Sequence, residues 1–257
     1  MKDSAVDAYL ARIGAARPDR PDAEALRRLQ HAHLLSVPFE NLSIHLGEPI
    51  VLDGPSLVEK VVDRRRGGFC YELNGAFGTL LTALGYQVTL LSARVFEDDR
   101  PGPPFDHLAL RVDLDEPWLV DVGFGKFSRH PLRLEARDDQ HDPGGVFRIT
   151  EHGGDVDVIL DGRPEYRLDL RPYELGDFVP TCWWQQTSPL SHFTRSLTCS
   201  LMTEPGRVTL SGTKLISTVD GERREHVLDG DADVLAAYRT YFGITLDRVP
   251  TVATASE

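Results

Sequence analysis

Cys70 is the residue whose surroundings best suit nucleophilic chemistry. It follows Gly67 and Gly68 and begins a predicted helix, whose apolar stripe at helical spacing consists of Leu73, Phe77, Leu80, Leu81 and Leu84. A thiol reacts as its thiolate, and the unpaired amides and dipole of a helix N-terminus favour negative charge. We therefore predict an activated thiol at Cys70, with further positive charge supplied by the three arginines at 64–66.

An activated thiol needs a general base, and the base needs an acceptor that orients it. Apolar residues alternate along segment 106–112, so His107 points away from the apolar face of that predicted strand. Alternation along segment 118–122 directs Asp121 away from its apolar face in the same way. A buried carboxylate requires a partner, and a histidine on a neighbouring strand provides one. The sequence therefore predicts a Cys70, His107 and Asp121 constellation.

The two strands are joined by five residues, which is short enough for a hairpin but leaves its register open. A turn centred on Leu114 places Asp121 opposite His107. A turn centred on Asp115 places Asp121 opposite Ala109 and diagonal to His107. Both registers keep the two polar side chains on one face, within roughly 5 to 8 Å.

The other cysteines and histidines give weaker signals. Cys199 alternates with apolar neighbours along a predicted strand, and Cys182 lacks a glycine turn or a helix start, so we interpret both as packing residues. Three widely spaced cysteines form neither a disulfide framework nor a zinc half-site, and we expect no metal. The remaining histidines show no comparable carboxylate spacing; they are His31, His33, His45, His130, His141, His152, His192 and His226.

The charge balance excludes several classes of partner. The 257 residues include 28 Lys and Arg against 40 Asp and Glu, a formal net charge of −12. Nucleic acids and anionic membrane surfaces are bound by clustered basic residues, so we expect neither as a partner. No apolar segment approaches the roughly 20 residues of a membrane span, and the N-terminus lacks the order of a signal peptide. We expect a cytoplasmic protein.

The elements that position these residues change character along the chain. Helical spacing runs through the first 85 residues, and Ser56 with Glu59 forms a capping-box pattern that predicts a helix start at Ser56. After Gly85 the apolar period changes to two, which predicts strands separated by turns. A last helix is predicted at about 232–242, with Asp231 as its N-cap.

Five segments resemble, in order, the motifs of the arylamine N-acetyltransferase family. They are VPFENL at 37–42, RGGFCYELN at 66–74, DHL at 106–108, WLVDVGFG at 118–125 and SPLSHFT at 188–194, and the resemblance spans about residues 5–245. The family implies an α+β fold and a Cys-His-Asp triad like that of cysteine proteases. It implies an N-terminal helical bundle at 1–85 carrying Cys70, a central antiparallel β-barrel at 86–185 carrying His107 and Asp121, and a C-terminal α/β lid at 186–257, shorter than is usual.

The resemblance also implies the chemistry. A ping-pong reaction would pass an acetyl group from acetyl-CoA through acyl-Cys70 to an arylamine or hydrazine nitrogen, with no permanently bound cofactor. His107 would move the protons, Asp121 would hold the imidazole, and backbone amides at the helix start would stabilise the oxyanion. By motif position, the acceptor pocket would be lined by Phe39, Val95, Phe124 and Phe193. The pantetheine arm would lie near the backbone of Gly123, Phe124 and Gly125.

A second function stays open at this point. Some shorter relatives resemble the macrolactam-forming amide synthases of ansamycin antibiotic biosynthesis. Those enzymes accept a polyketide chain from an acyl carrier protein, through its phosphopantetheine thioester, and close it onto its own aryl amine. The same triad would serve both reactions, and the motifs do not separate them. We prefer the acetyltransferase because it is the commoner function.

Overall fold

Helices and one very short strand form the first third of the chain in the computed structural model, which describes residues 1–252. The elements are α1 (Asp3–Ile13), α2 (Ala23–Ser36), β1 (Phe39–Glu40), α3 (Leu42–Leu46), α4 (Gly54–Val62) and α5 (Cys70–Ala83). Their apolar faces share one core, in which Tyr9, Leu26 and Phe77 are fully buried. Helix α5 is buried along most of its length, so the residue at its start is held by packing on several sides.

Helix α4 begins earlier than its sequence pattern predicts. Asp53 caps it, because its carboxylate accepts hydrogen bonds from the amide of Ser56 at 2.8 Å and from the Ser56 hydroxyl at 3.0 Å. Pro55 fits the first turn, where its missing N–H leaves no intrahelical bond unmade. The prediction of a capping box starting at Ser56 is therefore wrong.

The middle of the chain forms a nine-stranded antiparallel sheet. Its strands are β2 (Gln87–Glu97), β3 (Arg100–Pro101), β4 (His107–Asp113), β5 (Pro117–Val120), β6 (Leu132–Arg133), β7 (Gln140–Asp142), β8 (Gly145–His152), β9 (Asp155–Leu160) and β10 (Arg163–Tyr173). The order is β6-β5-β4-β2-β10-β9-β8-β7, with β3 paired to β2. The Gln140 side chain bonds the backbone amide and carbonyl of Arg133 at 2.7 and 3.0 Å, which nearly closes the barrel. The predicted α+β class and antiparallel barrel are confirmed.

The last part of the described chain contains a second antiparallel sheet. The elements are α6 (Leu175–Thr187), α7 (His192–Arg195), β11 (Cys199–Thr203), β12 (Gly206–Ser211), β13 (Lys214–Val219), β14 (Glu222–Val227) and α8 (Gly230–Phe242). The sheet order is β1-β11-β12-β13-β14, so the N-terminal strand completes this sheet. Helix α8 packs on it through Val234 and Tyr238, and its N-cap is Asp229 rather than the predicted Asp231. Residues 253–257 of the predicted C-terminal domain lie outside the described residues.

Helix length and polarity bear on membrane insertion. Across residues 1–252, every helix is too short or too polar to span a bilayer.

Candidate active site

Cys70 is buried at the first position of α5. The turn before it is held close to segment 37–40, since the amide of Glu40 donates to the carbonyl of Gly68 at 2.9 Å. A Cβ atom at Gly67 would lie 1.8 Å from the carbonyl oxygen of Pro38, so only glycine allows this approach. The Glu72 carboxylate reaches back to the amide of Phe69 at 3.3 Å and satisfies one donor at the helix start.

His107 and Asp121 come together across the β4–β5 hairpin. Leu110 pairs with Val120 in the ladder. Asp121, the residue after β5, is thereby aligned with Ala109 and diagonal to His107, the second of the two predicted registers. The His107 Nε2 and Asp121 Oδ2 atoms are 2.7 Å apart, and both side chains are buried.

The thiol and the imidazole lie close together. Cys70 and His107 line the same cavity, and each influences the pKa of the other. The rings of Phe124 and Tyr166 pack against the imidazole, with centroid distances of 5.1 and 5.3 Å. The structure thus brings the three predicted catalytic side chains into one connected arrangement.

Burial and the neighbouring charged group have opposing effects on the pKa of His107 and on the pKa of Cys70. Burial favours the neutral imidazole, but the charge and hydrogen bond of Asp121 outweigh it and raise the pKa of His107 to about 10. Burial raises the pKa of the Cys70 thiol, and the hydrogen bond and charge of His107 oppose that rise. The predicted lowering of the thiol pKa by the helix start is therefore wrong in its net direction, because desolvation exceeds it.

Three groups that the sequence interpretation missed hold the Asp121 carboxylate. Its Oδ1 accepts from the Asn74 side-chain amide and the Gly123 backbone amide, each at 2.9 Å, and the Tyr166 hydroxyl donates to Oδ2 at 3.3 Å. Asn74 also bonds the carbonyl of Leu108 at 2.7 Å and the amide of Val122 at 2.9 Å. Its position one helical turn after Cys70 is the sequence signal that could have identified it.

Gly123, in the loop after β5, lies close against the start of α5. A Cβ atom there would lie 2.7 Å from both the Cα atom of Cys70 and the side-chain nitrogen of Asn74. No other residue type fits this contact without moving the helix or the loop. The glycine therefore sets the spacing between the thiol and the hairpin that carries His107 and Asp121.

A cavity of about 380 Å³ opens onto the thiol and the imidazole. All four residues of the predicted acceptor pocket line it: Phe39, Val95, Phe124 and Phe193. Gly123 lines it as well, whereas Gly125 lies further along the loop and its carbonyl accepts a hydrogen bond from Arg207 at 2.6 Å. The sequence interpretation missed Trp184, Gln185, Leu190 and Ser191, which complete one wall.

The arginines before Cys70 have carboxylate partners. Arg66 is buried and pairs with Glu40 and Glu48, each at 3.0 Å, and Arg64 pairs with Glu48 at 3.1 Å. The positive charge of these two arginines is compensated locally, so the prediction that the run adds positive charge to the thiol is wrong for them.

The interpretation of the two other cysteines as packing residues agrees with their burial, whereas the interpretation of the other histidines is wrong at one position. Cys182 and Cys199 are buried, and burial raises the pKa of each thiol, to about 12 at Cys182. His130 does have a carboxylate partner, since its Nδ1 lies 2.8 Å from Asp142 Oδ2. The statement that the other histidines have no comparable partner is therefore wrong at this position.

Comparisons with known proteins address the whole chain. A family model described as N-acetyltransferase matches residues 22–251. An arylamine N-acetyltransferase of Mycolicibacterium smegmatis is 39% identical over 250 residues, covering 93% of this chain and 91% of that protein.

Two solved structures give the same result. The arylamine N-acetyltransferase of Salmonella typhimurium superposes with a TM-score of 0.89 at 32% identity, covering 98% of this chain and 95% of that one. The enzyme of Mycobacterium marinum in complex with CoA gives 0.85 at 33% identity, covering 93% and 92%. With a matching family model and relatives of this similarity along most of its length, the chain belongs to the arylamine N-acetyltransferase family.

Proposed function

We propose that this protein transfers an acetyl group from acetyl-CoA to the nitrogen of an arylamine or hydrazine, through a thioester on Cys70. The observation that carries the proposal is the buried His107–Asp121 pair, at 2.7 Å, whose imidazole lines the same cavity as Cys70, the one cysteine among the described residues that lines it. The CoA complex of the Mycobacterium marinum relative supports the choice of donor. The relatives are arylamine N-acetyltransferases, which supports the choice of acceptor.

In the first half-reaction, the proton resides on His107, and the Cys70 thiolate paired with it attacks the carbonyl carbon of the donor thioester. The tetrahedral intermediate collapses when its bond to the CoA sulfur breaks. CoA leaves as a thiol, with the proton returned by His107. The enzyme then carries one acetyl group on Cys70, and no net charge has been gained or lost.

In the second half-reaction, the acceptor nitrogen attacks the same carbonyl carbon. His107 takes the proton that the nitrogen loses, and the carbon–sulfur bond to Cys70 breaks. The Cys70 thiolate is restored beside the protonated His107, and the product is an amide or a hydrazide. Backbone amides at the start of α5 are suited to stabilise the oxyanion in both steps.

The pKa of His107 fits this role. The charge and hydrogen bond of Asp121 raise the pKa of His107 to about 10, so the imidazolium form is favoured beside the thiol. Its positive charge opposes the rise that burial gives to the pKa of Cys70, and so favours the thiolate. The fixed carboxylate of Asp121 supports the protonated imidazole and selects the tautomer that faces Cys70.

The cavity residues suggest how the substrates bind. Phe39, Phe124 and Phe193 provide aromatic faces and edges for an aryl ring, and Val95 adds an aliphatic contact. In this proposal the pantetheine arm of the donor lies along the backbone of Gly123 and Phe124. Gly125, whose carbonyl is bonded to Arg207, would support the end of that loop.

We also propose that the chain is organised as three units, with boundaries at 1–85, 86–185 and 186–257. The first unit supplies Cys70, the second supplies His107 and Asp121, and the third supplies Phe193. The reaction would then take place where the three units meet. The alternative reaction, macrolactam formation from a carrier-protein donor, receives no support from the comparisons.

Intact-mass measurement after mixing the protein with acetyl-CoA tests the proposal. We expect a mass increase of one acetyl group, and its loss when an arylamine is added. Cys70→Ala should abolish the increase, whereas Cys182→Ala, which removes another buried thiol, should retain it. Normal turnover by Cys70→Ala, or an acetyl group that persists after arylamine is added, would contradict the proposal.

A further inference from the structure

Lys60 is a buried lysine that the proposed reaction does not use. It lies in the last turn of α4 and is only 8% exposed. Its ammonium donates to Glu72 Oε1 at 2.5 Å and to the Ser43 hydroxyl at 2.9 Å. Lysine is rarely buried to this degree unless it is paired. The partner matters because Glu72 belongs to the first turn of α5, as Cys70 does.

Lys60 holds both ends of the segment that presents the thiol. At the start of this segment, the amide of Arg66 donates to the Lys60 carbonyl at 3.0 Å. At its end, the Lys60 ammonium binds the carboxylate of Glu72. Segment 66–72, which contains Cys70, is therefore fixed to α4 at two points by one residue.

The Glu72 carboxylate in turn supports the backbone just before the thiol. Its Oε2 atom accepts a hydrogen bond from the amide of Phe69 at 3.3 Å. A Cβ atom at Gly68 would lie 2.6 Å from the same oxygen, so the carboxylate and the turn are in close contact. A movement of the carboxylate would therefore move the backbone that leads into Cys70.

The charge of Glu72 needs compensation because it lies within the same helical turn as Cys70. Burial raises the pKa of Glu72, the ammonium of Lys60 opposes that rise, and the charge of Glu40 adds to it. The pair also affects Cys182 on α6, whose thiol pKa is raised by burial and further by the charge of Glu72. An uncompensated carboxylate here would disfavour a thiolate at Cys70, because like charges repel.

We propose that Lys60 is a positioning residue for the reacting thiol. Its ammonium keeps Glu72 against the amide of Phe69 and cancels the carboxylate charge, so the thiolate of Cys70 forms beside a neutral pair. This inference rests on the proposed function, which makes Cys70 the nucleophile. A pair that served folding alone would lower the stability when broken, but it would not shift the ionisation of Cys70.

The test is alkylation of Cys70 by iodoacetamide as a function of pH, measured at the Cys70 peptide by mass spectrometry, because only the thiolate reacts. Lys60→Gln leaves a carboxylate near the thiol, so the profile should move to higher pH and the rate at about pH 7.5 should fall about 3-fold. Glu72→Gln leaves an ammonium there, so the profile should move to lower pH and that rate should rise about 3-fold. With both substitutions neither charge remains, and the rate should return to within about 2-fold of the wild type.

Arg167→Gln is the matched control, because it removes the cation of another ion pair, between Arg167 on β10 and Asp157 on β9 at 2.6 Å. It should keep the wild-type profile. An unchanged profile in either single variant, or shifts of the same sign in both, would overturn the proposal. If circular dichroism shows that Lys60→Gln does not fold, Glu72→Gln decides, since a profile that stays or moves to higher pH overturns the proposal.

The proposed function and the role of Lys60 can fail separately in these measurements. If acetyl-CoA does not acetylate the wild type, the proposed function fails, and the alkylation profiles still decide whether Lys60 acts on the thiol. If acetylation occurs and the profiles do not shift, only the role of Lys60 is rejected. If both hold, acetylation of Cys70 should also slow about 3-fold in Lys60→Gln, because the same thiolate reacts in both experiments.

Discussion

Two histidine–aspartate pairs in this protein have nearly equal nitrogen–oxygen distances, yet the pKa of the histidine is shifted in opposite directions in the two pairs. The nitrogen–oxygen distance is 2.7 Å between His107 and Asp121 and 2.8 Å between His130 and Asp142. The pKa of His107 is raised to about 10, whereas the pKa of His130 is lowered. Pair geometry alone therefore does not determine whether an imidazole acts as a base.

The neighbours of the two imidazoles explain the difference. At His130, burial lowers the pKa, and the charges of Arg27 and His31 add to it against the opposing charge of Asp142. The Arg27 guanidinium lies 3.3 Å from the ring nitrogen, and the His31 ring stacks at 5.5 Å. At His107 the other ionisable neighbour besides Asp121 is the Cys70 thiol, which favours the imidazolium when it loses its proton. A base needs both the carboxylate and surroundings free of competing cations.

The largest effect is expected when the aspartates of the two pairs, Asp121 and Asp142, are each replaced by asparagine. Asp121→Asn should reduce the rate of acetyl transfer by about 10³- to 10⁴-fold, because the amide supports the wrong tautomer and removes the charge that sustains the imidazolium. Asp142→Asn, the matched change at the other pair, should alter the rate less than about 2-fold. Steady-state rates with acetyl-CoA and an arylamine measure both, with circular dichroism to check folding. Equal losses in the two variants would remove the distinction between the pairs.

The second effect concerns the hydrogen bonds that hold the carboxylate of Asp121, which the proposed function makes catalytic. Asn74→Ala removes one hydrogen bond to Asp121 and leaves the amide of Val122 without its partner. We expect kcat/KM to fall about 10- to 100-fold and the free energy of unfolding to fall by about 2 kcal/mol. Gln140→Ala removes a half-buried side chain that bonds the backbone at two points, at the barrel seam. Gln140→Ala should lower the free energy of unfolding but keep the wild-type kcat/KM. Equal losses of kcat/KM in the two variants would contradict a specific role of Asn74 in holding Asp121.

A smaller effect is expected at the third support of Asp121. The Tyr166 hydroxyl donates to Oδ2 at 3.3 Å, a longer contact than those of Asn74 and Gly123. Tyr166→Phe should lower kcat/KM about 2- to 5-fold, as expected for one weak hydrogen bond. Tyr86→Phe, which removes a hydroxyl bonded to the carbonyl of Asp22 at 3.0 Å, serves as control. A 100-fold loss in Tyr166→Phe would mean that the hydroxyl takes part in the chemistry directly.

Local patterns in the sequence predicted the parts of the proposed site. They placed Cys70 at a helix start and His107 beside Asp121 across a hairpin, whereas the packing of α5 against β4 depends on contacts between distant segments. The register of the hairpin was not fixed, because a five-residue connection allows two turn centres, and pairing of Leu110 with Val120 selects one. The period-two alternation after Gly85 predicted strands and turns, whereas the antiparallel barrel was implied by the resemblance to the family.

Features that depend on distant packing were not predictable. Tyr166 reaches Asp121 only because β10 lies beside β2, and alternation does not reveal which strands are neighbours. The pKa direction at Cys70 depends on burial, which a helix-start argument leaves out. Helix α6 was missed because Pro180 lies within it and disfavours a continuous helix, although Asp177 accepts from the amide of Glu174 at 2.8 Å, as in a capping box.

The smallest expected effect tests why His130 is not a base. Arg27→Gln removes a cation beside the imidazole, so the pKa of His130 should rise toward its ordinary value while acetyl transfer changes less than about 2-fold. Arg28→Gln, on the same helix but paired with Glu24 at 3.1 Å, is the control and should leave that pKa unchanged. Titration of the His130 ring by nuclear magnetic resonance measures the shift directly.

The pH dependence of the free energy of unfolding should also change in Arg27→Gln. A histidine whose folded pKa lies below its unfolded value of about 6.5 contributes stability above that pH and loses it as the pH falls toward the folded pKa. Arg27→Gln should therefore lose less stability than the wild type between pH 7.5 and pH 5.5, by about a few tenths of a kcal/mol because the site is partly exposed. The difference should shrink at high salt, where exposed charges are screened. If the pKa of His130 stays lowered in Arg27→Gln at low salt, burial alone separates the two histidine–aspartate pairs.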